Sequence, residues 1–367
     1  MPAPLDDVRV IEIGRYISGP YAAKLLADLG ADVIKVESPD GDPMRRWQGG
    51  GDRPYSPQFG AYNRGKRGVT LDLRSPDGLA DLLRLAGDAD VLIENFRPGV
   101  ADRLGFGWER LRARNPRLVY CSITGFGPDG PYAKRPAYDT VISALGGMYG
   151  HLVPLDTPRP VGPAFSDLLS GMSAAQGILA ALHARSSTGE GQHVEVSMLG
   201  ALTDFLTEAV STYLETGTVV APGTRAARAQ AYGCVGSDGL PFVVHMSVPE
   251  KFWRGLLDVI ERPDLADDPR FATREARYRN YDALDAILKA ETGKHPRDEW
   301  FERLTAADIP HGALNTVAGL AQDRQVRHLG LIDDHETVPG TRFSAWERDR
   351  PAPAPDLGAH NTEVLDA

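Results

Sequence analysis

The sequence predicts an α/β protein: a larger part built on a parallel sheet with helices, and a smaller α+β part. Three observations lead there. Over the first 125 residues, short apolar runs of strand length alternate with stretches of helical length, the pattern of right-handed βαβ units. Near "GTVVAPGTRAARAQAYG" (217–233) the composition shifts, as at a linker, and a region of different make-up follows. The chain has 367 residues, enough for two domains.

The elements follow in order. "VRVIEIG" (8–14) is a short apolar strand. "GPYAAKLLADLG" (19–30) is a helix with Pro20 in its first turn and Gly30 as its stop. "ADVIKVE" (31–37) and "GVTLDL" (68–73) are strands. "SPDGLADLLRLAGDA" (75–89) is a helix that Ser75 caps and Pro76 opens. "DVLIENF" (90–96) is a strand, "GWERLRARNP" (107–116) a short helix ended by Asn-Pro, and "LVYCSITGFG" (118–127) a strand running into glycines. Residues 140–165, rich in Gly and Pro, read as chain winding over this layer. A helix starts at Asp167 and ends near "SSTGEGQ" (186–192). "HVEVSM" (193–198) is a strand and "LGALTDFLTEAVSTYLET" (199–216) a helix. From about 230 to 325 come strands in "GLPFVVHMSV" and helices in "PEKFWRGLLDVI" and "YDALDAILKAETG". "LIDDHETVPGTRFSAW" (331–346) holds two short strand-like pieces.

Composition narrows the function classes. With 42% hydrophobic and 25% charged residues, the chain is of the soluble globular type. A formal charge of −10 counts against general binding to nucleic acid or an anionic membrane, though it leaves room for a local basic pocket. No apolar run reaches the roughly 18 residues of a membrane span, and "MPAPLDDVRV" carries no signal-peptide pattern. Cys121 and Cys234 are far apart, which fits two buried free thiols and neither a metal site nor a disulfide framework. A cytoplasmic protein is expected. No G-x-G-x-x-G follows the first strand, so a nicotinamide enzyme is not favoured. Ligands of such sheets lie beyond the C-terminal strand ends. That selects the loops "GRYISGP" (14–20), "ENFRPG" (94–99) and "TGFGPDGPYAKRPAYD" (124–139).

The helix that starts at Asp167 is unusual. Leu168, Met172, Ala175, Leu179 and Leu182 form one apolar stripe, and small residues fill the other faces. Gly171 and Gly177 each cost about 1 kcal/mol against Ala, which close approach to a neighbour would offset. Asp167 sits at the N-cap or in the first turn. As a cap it contributes about 1 kcal/mol. As a carboxylate kept ionised by the helix amino end, it is a candidate nucleophile toward a reactive carbonyl. The pattern leaves both readings open.

Four long motifs in order then match a family: "PLDDVRVIEIGRYISGPYAAKLLADLGADVIKVESPDGDPMRRW" (4–47), "NRGKRGVTLDLRSPDG" (63–78), "ADVLIENFRPGVADRLGFGWERLRARNPRLVYCSITGFGPDGPYA" (89–133) and "SDLLSGMSAAQGILAALHARSSTGEGQHVEVSM" (166–198). The chain resembles the family III coenzyme A transferases, which include the α-methylacyl-CoA racemases. The resemblance implies a Rossmann-like large domain at 1–220, completed by 326–367, a small domain at 221–325, and an interlocked homodimer. It implies that Asp167 is the catalytic residue, acting through a mixed anhydride and an aspartyl-CoA thioester. The acyl-CoA and the carboxylic acid are then substrates, and no metal or permanently bound cofactor is called for. By position it implies CoA contacts from Leu71, Arg74, Asn95, Phe96, Arg97, Arg103, Lys134, Arg135 and Tyr138. Arg and Lys suit phosphates, and Phe96 suits an adenine or pantetheine wall.

The sequence also departs from the family's subgroups. Racemases carry a His-Asp pair where this chain has Tyr138–Asp139. A phenol with an ordinary pKa near 10 is a poor base for an α-proton, so transfer is favoured over racemisation. His151 is a possible substitute base, and Asp139 a possible hydrogen-bonding partner. Formyl-CoA transferases carry a Gln at the position of Ile17 and a glycine run that aligns here with "GSDGLP" (236–241). Both departures argue against an oxalate-type substrate, and the bulky apolar Ile17 points to a less polar acyl group. The rival classes are an acyl-CoA racemase or isomerase, including intramolecular CoA transfer, and a CoA-binding protein without catalysis.

Overall fold

The computed structural model describes residues 1–47, 54–247, 249–333 and 337–366. The chain divides into two compact units, Met1–Glu215 with Pro339–Ala367, and Thr216–Val338.

The first unit carries six parallel strands: β1 (Arg9–Glu12), β2 (Asp32–Glu37), β3 (Arg67–Thr70), β4 (Val91–Glu94), β5 (Val119–Thr124) and β6 (His193–Ser197). Their order is β3-β2-β1-β4-β5-β6, with Val10 paired to Val33 on one side and Val91 on the other. The inner strands β1, β2, β4 and β5 are mostly apolar because both their faces are covered, with Glu12, Lys35, Glu37 and Glu94 as buried charged exceptions. Val10, Val33, Val91 and Ile93 pack toward Ala22, Leu26, Ala174 and Ile178. Ile11, Ile34 and Leu92 pack toward Leu82, Phe106 and Leu111. Strand order reverses between β1 and β4. The loops that follow them therefore part and leave a crevice.

The helices of this stretch include α1 (Ser18–Ala27), α2 (Pro57–Asn63), α3 (Pro76–Gly87), α4 (Val100–Leu104), α5 (Trp108–Arg114), α6 (Asp139–Leu145), α7 (Met148–Leu152), α8 (Phe165–Thr188), α9 (Met198–Phe205) and α10 (Thr207–Thr216). The Ser75 hydroxyl accepts from the Gly78 amide at 3.0 Å and Pro76 opens α3, as its sequence predicts. Residues 140–165 are not plain winding chain, since they contribute most of α6 and all of α7. The helix expected over 199–216 is two, separated at Leu206. The glycines of α8 do face close neighbours. A Cβ on Gly171 would lie 3.0 Å from the Ser18 carbonyl and 2.9 Å from the Tyr21 ring, and one on Gly177 would lie 2.8 Å from Val194.

The last residues of the chain finish this unit. Strand β3 is an edge, and the tail covers it. The His360 amide donates to the Gly68 carbonyl at 2.9 Å, and the Thr70 amide donates to the Asn361 side chain at 2.9 Å. Covering an edge in this way removes a template for pairing with other chains.

The second unit has an antiparallel sheet of β7 (Ala231–Val235), β8 (Pro241–His245) and β9 (His311–Ala313). Helices that include α11 (Thr224–Ala229), α12 (Glu250–Val259), α13 (Arg274–Arg279), α14 (Tyr281–Thr292) and α15 (Arg297–Ala306) accompany it, around Tyr232, Phe242, Trp253, Leu284 and Trp300. Residues 236–241 are the β7–β8 turn. Asp238 accepts there from the amides of Leu240 and Arg297, each at 3.1 Å. Those glycines thus lie in a hairpin turn. Among the described residues of 331–346, a bridge joins Ile332 and Thr337. Residues 334–336 of that stretch lie outside the described residues.

Candidate active site

Asp167 lies in the first turn of α8, and it is not the cap. The N-cap position is Ala164, whose methyl group cannot accept a hydrogen bond. The capping acceptor comes from 27 residues upstream. Asp139, at the start of α6, takes the Ser166 amide at 2.7 Å and the Ser166 hydroxyl at 2.9 Å on one carboxylate oxygen. Asp167 is released from that duty. Among the described residues its carboxylate has no hydrogen-bond or ion-pair partner, while its main-chain carbonyl accepts from Ser170.

The electrostatics differ from the helix-end expectation. Burial, with the Asp139 charge second, pushes the Asp167 carboxyl up to about 7. The favourable end of a helix gives at most about 2 kcal/mol, and desolvation beside a like charge outweighs it here. Asp167 also raises the phenol of Tyr62, behind the larger effect of burial. Around it, Leu168 and Ala164 pack with Tyr16, Ile17, Tyr21 and Tyr62.

Loop 14–17 leads from β1 into α1, and its Tyr16 and Ile17 belong to this cluster. Tyr16 has a left-handed backbone, φ 62°, which costs roughly 1–3 kcal/mol for a bulky residue. Asn95 ties this loop with its whole side-chain amide: it accepts from the Arg15 amide at 2.9 Å and donates to the Arg15 carbonyl at 2.8 Å and the Ser18 hydroxyl at 3.0 Å. Asp42 accepts from the Tyr16 amide at 3.1 Å. Beneath the loop, Lys35 meets Glu12 at 3.3 Å and the Gly14 carbonyl at 3.0 Å, and Lys66 meets Glu12 at 3.1 Å and the Pro20 carbonyl at 2.9 Å. All four charged residues are buried. Sequence reading passed over this group. The signal was a charge inside each of the apolar runs "VIEIG" and "VIKVE", which a buried strand tolerates only when paired.

Beyond the C-terminal ends of β1 to β4 lies a cleft of about 670 Å³. Of the residues expected to contact CoA, Leu71, Arg74, Phe96 and Arg103 line it, joined by Arg15. Phe96 is fixed from behind. Its ring meets Phe106 edge-on at 6.1 Å, and its amide donates to Glu94 at 2.7 Å. Burial raises the Glu94 carboxyl to about 7. Arg97 is exposed on the same loop and does not line the cleft. Lys134 and Arg135 are exposed on the loop before α6, with Arg135 stacked 3.8 Å over Tyr132. Tyr138 is exposed beside Tyr16, ring centroids 6.1 Å apart. His151 lies on α7. Although the strand order is that of dinucleotide enzymes, Glu37 at the end of β2 is spent on Arg45, at 2.6 and 2.8 Å, and on the Asp42 amide. It is not free for the ribose hydroxyl that such a residue binds in those enzymes.

The family model for CoA-transferase family III matches residues 5–361. The chain belongs to CoA-transferase family III. It is 39% identical to the acetyl-CoA:oxalate CoA-transferase of Acetobacter aceti, over 96% of this chain and 92% of that one. It is 34% identical to the succinate–glutarate CoA-transferase of Agrobacterium fabrum, over 99% and 95%. A crystal structure of a CaiB/BaiF family protein from Brucella suis superposes with a TM-score of 0.89 at 36% identity, covering 100% of this chain and 99% of that one. The protein is therefore a family III enzyme that transfers CoA between an acyl-CoA and a carboxylic acid.

Proposed function

We propose that Asp167 is the nucleophile of this CoA transfer. One observation carries the reading: the carboxylate is freed from capping by Asp139 and stands without a partner beside the loop that borders the cleft. A carboxylate without compensating hydrogen bonds is a stronger nucleophile than a solvated one.

One Asp167 oxygen attacks the donor thioester carbonyl. The C–S bond breaks, giving a mixed anhydride and CoA thiolate. The thiolate attacks the aspartyl carbonyl, and the donor acid leaves as its carboxylate. The acceptor carboxylate then attacks the aspartyl-CoA thioester and expels CoA thiolate, and the thiolate attacks the acceptor's acyl carbonyl, which restores Asp167. Leu71 and Phe96 provide apolar walls for the CoA, while Arg74 and Arg103 answer its phosphates, with Arg97, Lys134 and Arg135 as outer cations. Tyr138 borders the pantetheine path. Asn95 acts on CoA through the loop it ties. The names of the relatives suggest acetyl-CoA and succinyl-CoA as donors, and oxalate and glutarate as acceptors. The proposal includes an interlocked homodimer in the cytoplasm, for which light scattering tests the dimer.

The experiment is trapping. Enzyme incubated with either donor and quenched with hydroxylamine should yield a hydroxamate at Asp167, found by peptide mass spectrometry. Transfer by Asp167→Ala at near the unaltered rate refutes the proposal. Incorporation of α-deuterium from deuterated water without any acceptor acid would point to isomerisation instead.

A further inference from the structure

Loop 14–20 stands between the two halves of the proposed reaction. Gly14 and Arg15 line the CoA cleft, and Tyr16 and Ile17 share a cluster with Ala164 and Leu168, which bracket Asp167 in sequence. Its far end is pinned against α8, where Gly171 leaves only 3.0 Å between a would-be Cβ and the Ser18 carbonyl. Its left-handed Tyr16 persists only because the surroundings hold it.

What holds it from below is a buried set of charges. Glu12, on β1, sits between two lysines. Lys35, on β2, reaches Glu12 at 3.3 Å, Asp42 at 3.5 Å and the Gly14 carbonyl at 3.0 Å. Lys66, before β3, reaches Glu12 at 3.1 Å, the Asn63 side chain of α2 at 2.9 Å and the Pro20 carbonyl of α1 at 2.9 Å. Glu37 and Arg45 pair beside them. The two ammonium groups thus hold the Gly14 carbonyl at the start of the loop and the Pro20 carbonyl in the first turn of α1, and Asp42 grips the Tyr16 amide between.

We propose that Lys66 is a positioning residue for CoA transfer: with Glu12, Lys35 and Asp42 it clamps loop 14–20, and its charge keeps the loop aligned with Asp167. This rests on the reading of Asp167 as nucleophile.

The groups facing Lys66 make its charge sensitive to pH. Burial pushes it down to about 8, with Lys35 adding to the depression and Glu12 and Asp42 opposing it. Lys35 differs: burial alone would lower it, but Glu12, Asp42 and Glu37 hold it above the ordinary lysine value. The sign for folding runs opposite to the sign for function. Between pH 8 and the ordinary lysine value the unfolded chain binds more protons at this position, so folding does not weaken there through Lys66. The clamp, however, loses its grip on Glu12 and Pro20.

The test uses the full-length enzyme with succinyl-CoA and glutarate, or acetyl-CoA and oxalate, and follows kcat and KM from pH 5.5 to 9.5 with circular dichroism alongside. In the unaltered enzyme kcat should fall through about pH 8 while KM for the acyl-CoA and the fold stay unchanged. Lys66→Met, which fixes the neutral state, should lower kcat roughly 100-fold at pH 7, the usual effect of a 1 Å misplacement, and should abolish the alkaline limb. The acid limb, which belongs to Asp167, should remain in both. A flat alkaline kcat in the unaltered enzyme overturns the clamp, and this holds even if Lys66→Met fails to fold. Full activity of a folded Lys66→Met does so too. Loss of the acid limb, or activity in Asp167→Ala, refutes the nucleophile and leaves the clamp to be judged on the alkaline limb.

Discussion

Replacing Asp167 by Asn should make the enzyme more stable and inactive together. Folding raises this carboxyl from 3.8 to about 7, a shift worth about 4 kcal/mol at 1.36 kcal/mol per unit. For a carboxyl raised on folding, the folded state holds a proton that the unfolded chain has already released between pH 3.8 and 7. Stability therefore falls across that window as pH rises, and the full cost is carried above it. Asp167 is partly accessible, so water screens the charge and the realised figure is nearer 1–3 kcal/mol. Asn fills the same volume without the charge. At pH 8 its melting temperature should lie several degrees above the unaltered enzyme, at about 2–4 °C per kcal/mol for a unit of this size. At pH 5, about a third of the way up that window, roughly a third of the gain should remain, and it should vanish only below about pH 3.8. Scanning calorimetry at both pH values, with CoA transfer assayed in parallel, decides it. An equal gain at pH 5 and 8, or none at pH 8, would mean that burial and Asp139 do not set the Asp167 charge.

Three further changes probe the same site. Asp139→Asn keeps an acceptor for Ser166 but removes the second cause of the Asp167 shift, so the acid limb of kcat should move to lower pH while staying above the ordinary carboxyl value; an unmoved limb would rule out Asp139 as a cause. Arg103→Ala should raise KM for the acyl-CoA about tenfold or more with little change in kcat, as expected for loss of a charged contact made equally in ground and transition states; steady-state kinetics would show otherwise by a fall in kcat alone. Gly171→Ala should cost about 1–3 kcal/mol through the contact with the Ser18 carbonyl, more than Gly177→Ala, whose neighbour is the end of a side chain; urea denaturation compares them.

Much of the large unit was legible in sequence because its elements obey local rules. Ser75 and Pro76 announce a helix start. The runs at 8–14, 31–37 and 90–96 announce strands covered on both faces. The glycines of α8 announced a close neighbour, and Ser18 and Tyr21 are there. Elements without a period went unread: α6 and α7 are short and lie among glycines. Of the residues that the resemblance, rather than any spacing rule, picked out, Leu71, Arg74, Phe96 and Arg103 line one cleft. Asn95, by contrast, spends its amide on Arg15 and Ser18, a contact across 80 residues that no spacing rule contains. The charge of Asp167 was misjudged for a related reason. The helix end is a local property, whereas the desolvation and the Asp139 carboxylate that override it arrive only with tertiary structure.

The tail over β3 sets an order of events during synthesis. The large unit needs residues 339–367 to close its edge strand, and the second unit's roughly 120 residues are made in between. At about 5–20 residues per second, the ribosome leaves the β3 edge bare for roughly 6–25 seconds while the second unit is made. The intervening unit, with its own core of Tyr232, Phe242, Trp253 and Trp300, has the means to fold first. A chain cut short before Pro351 would keep nearly every catalytic part and still carry an open edge, so nonsense products of this gene should be found among aggregates rather than as weakened enzymes.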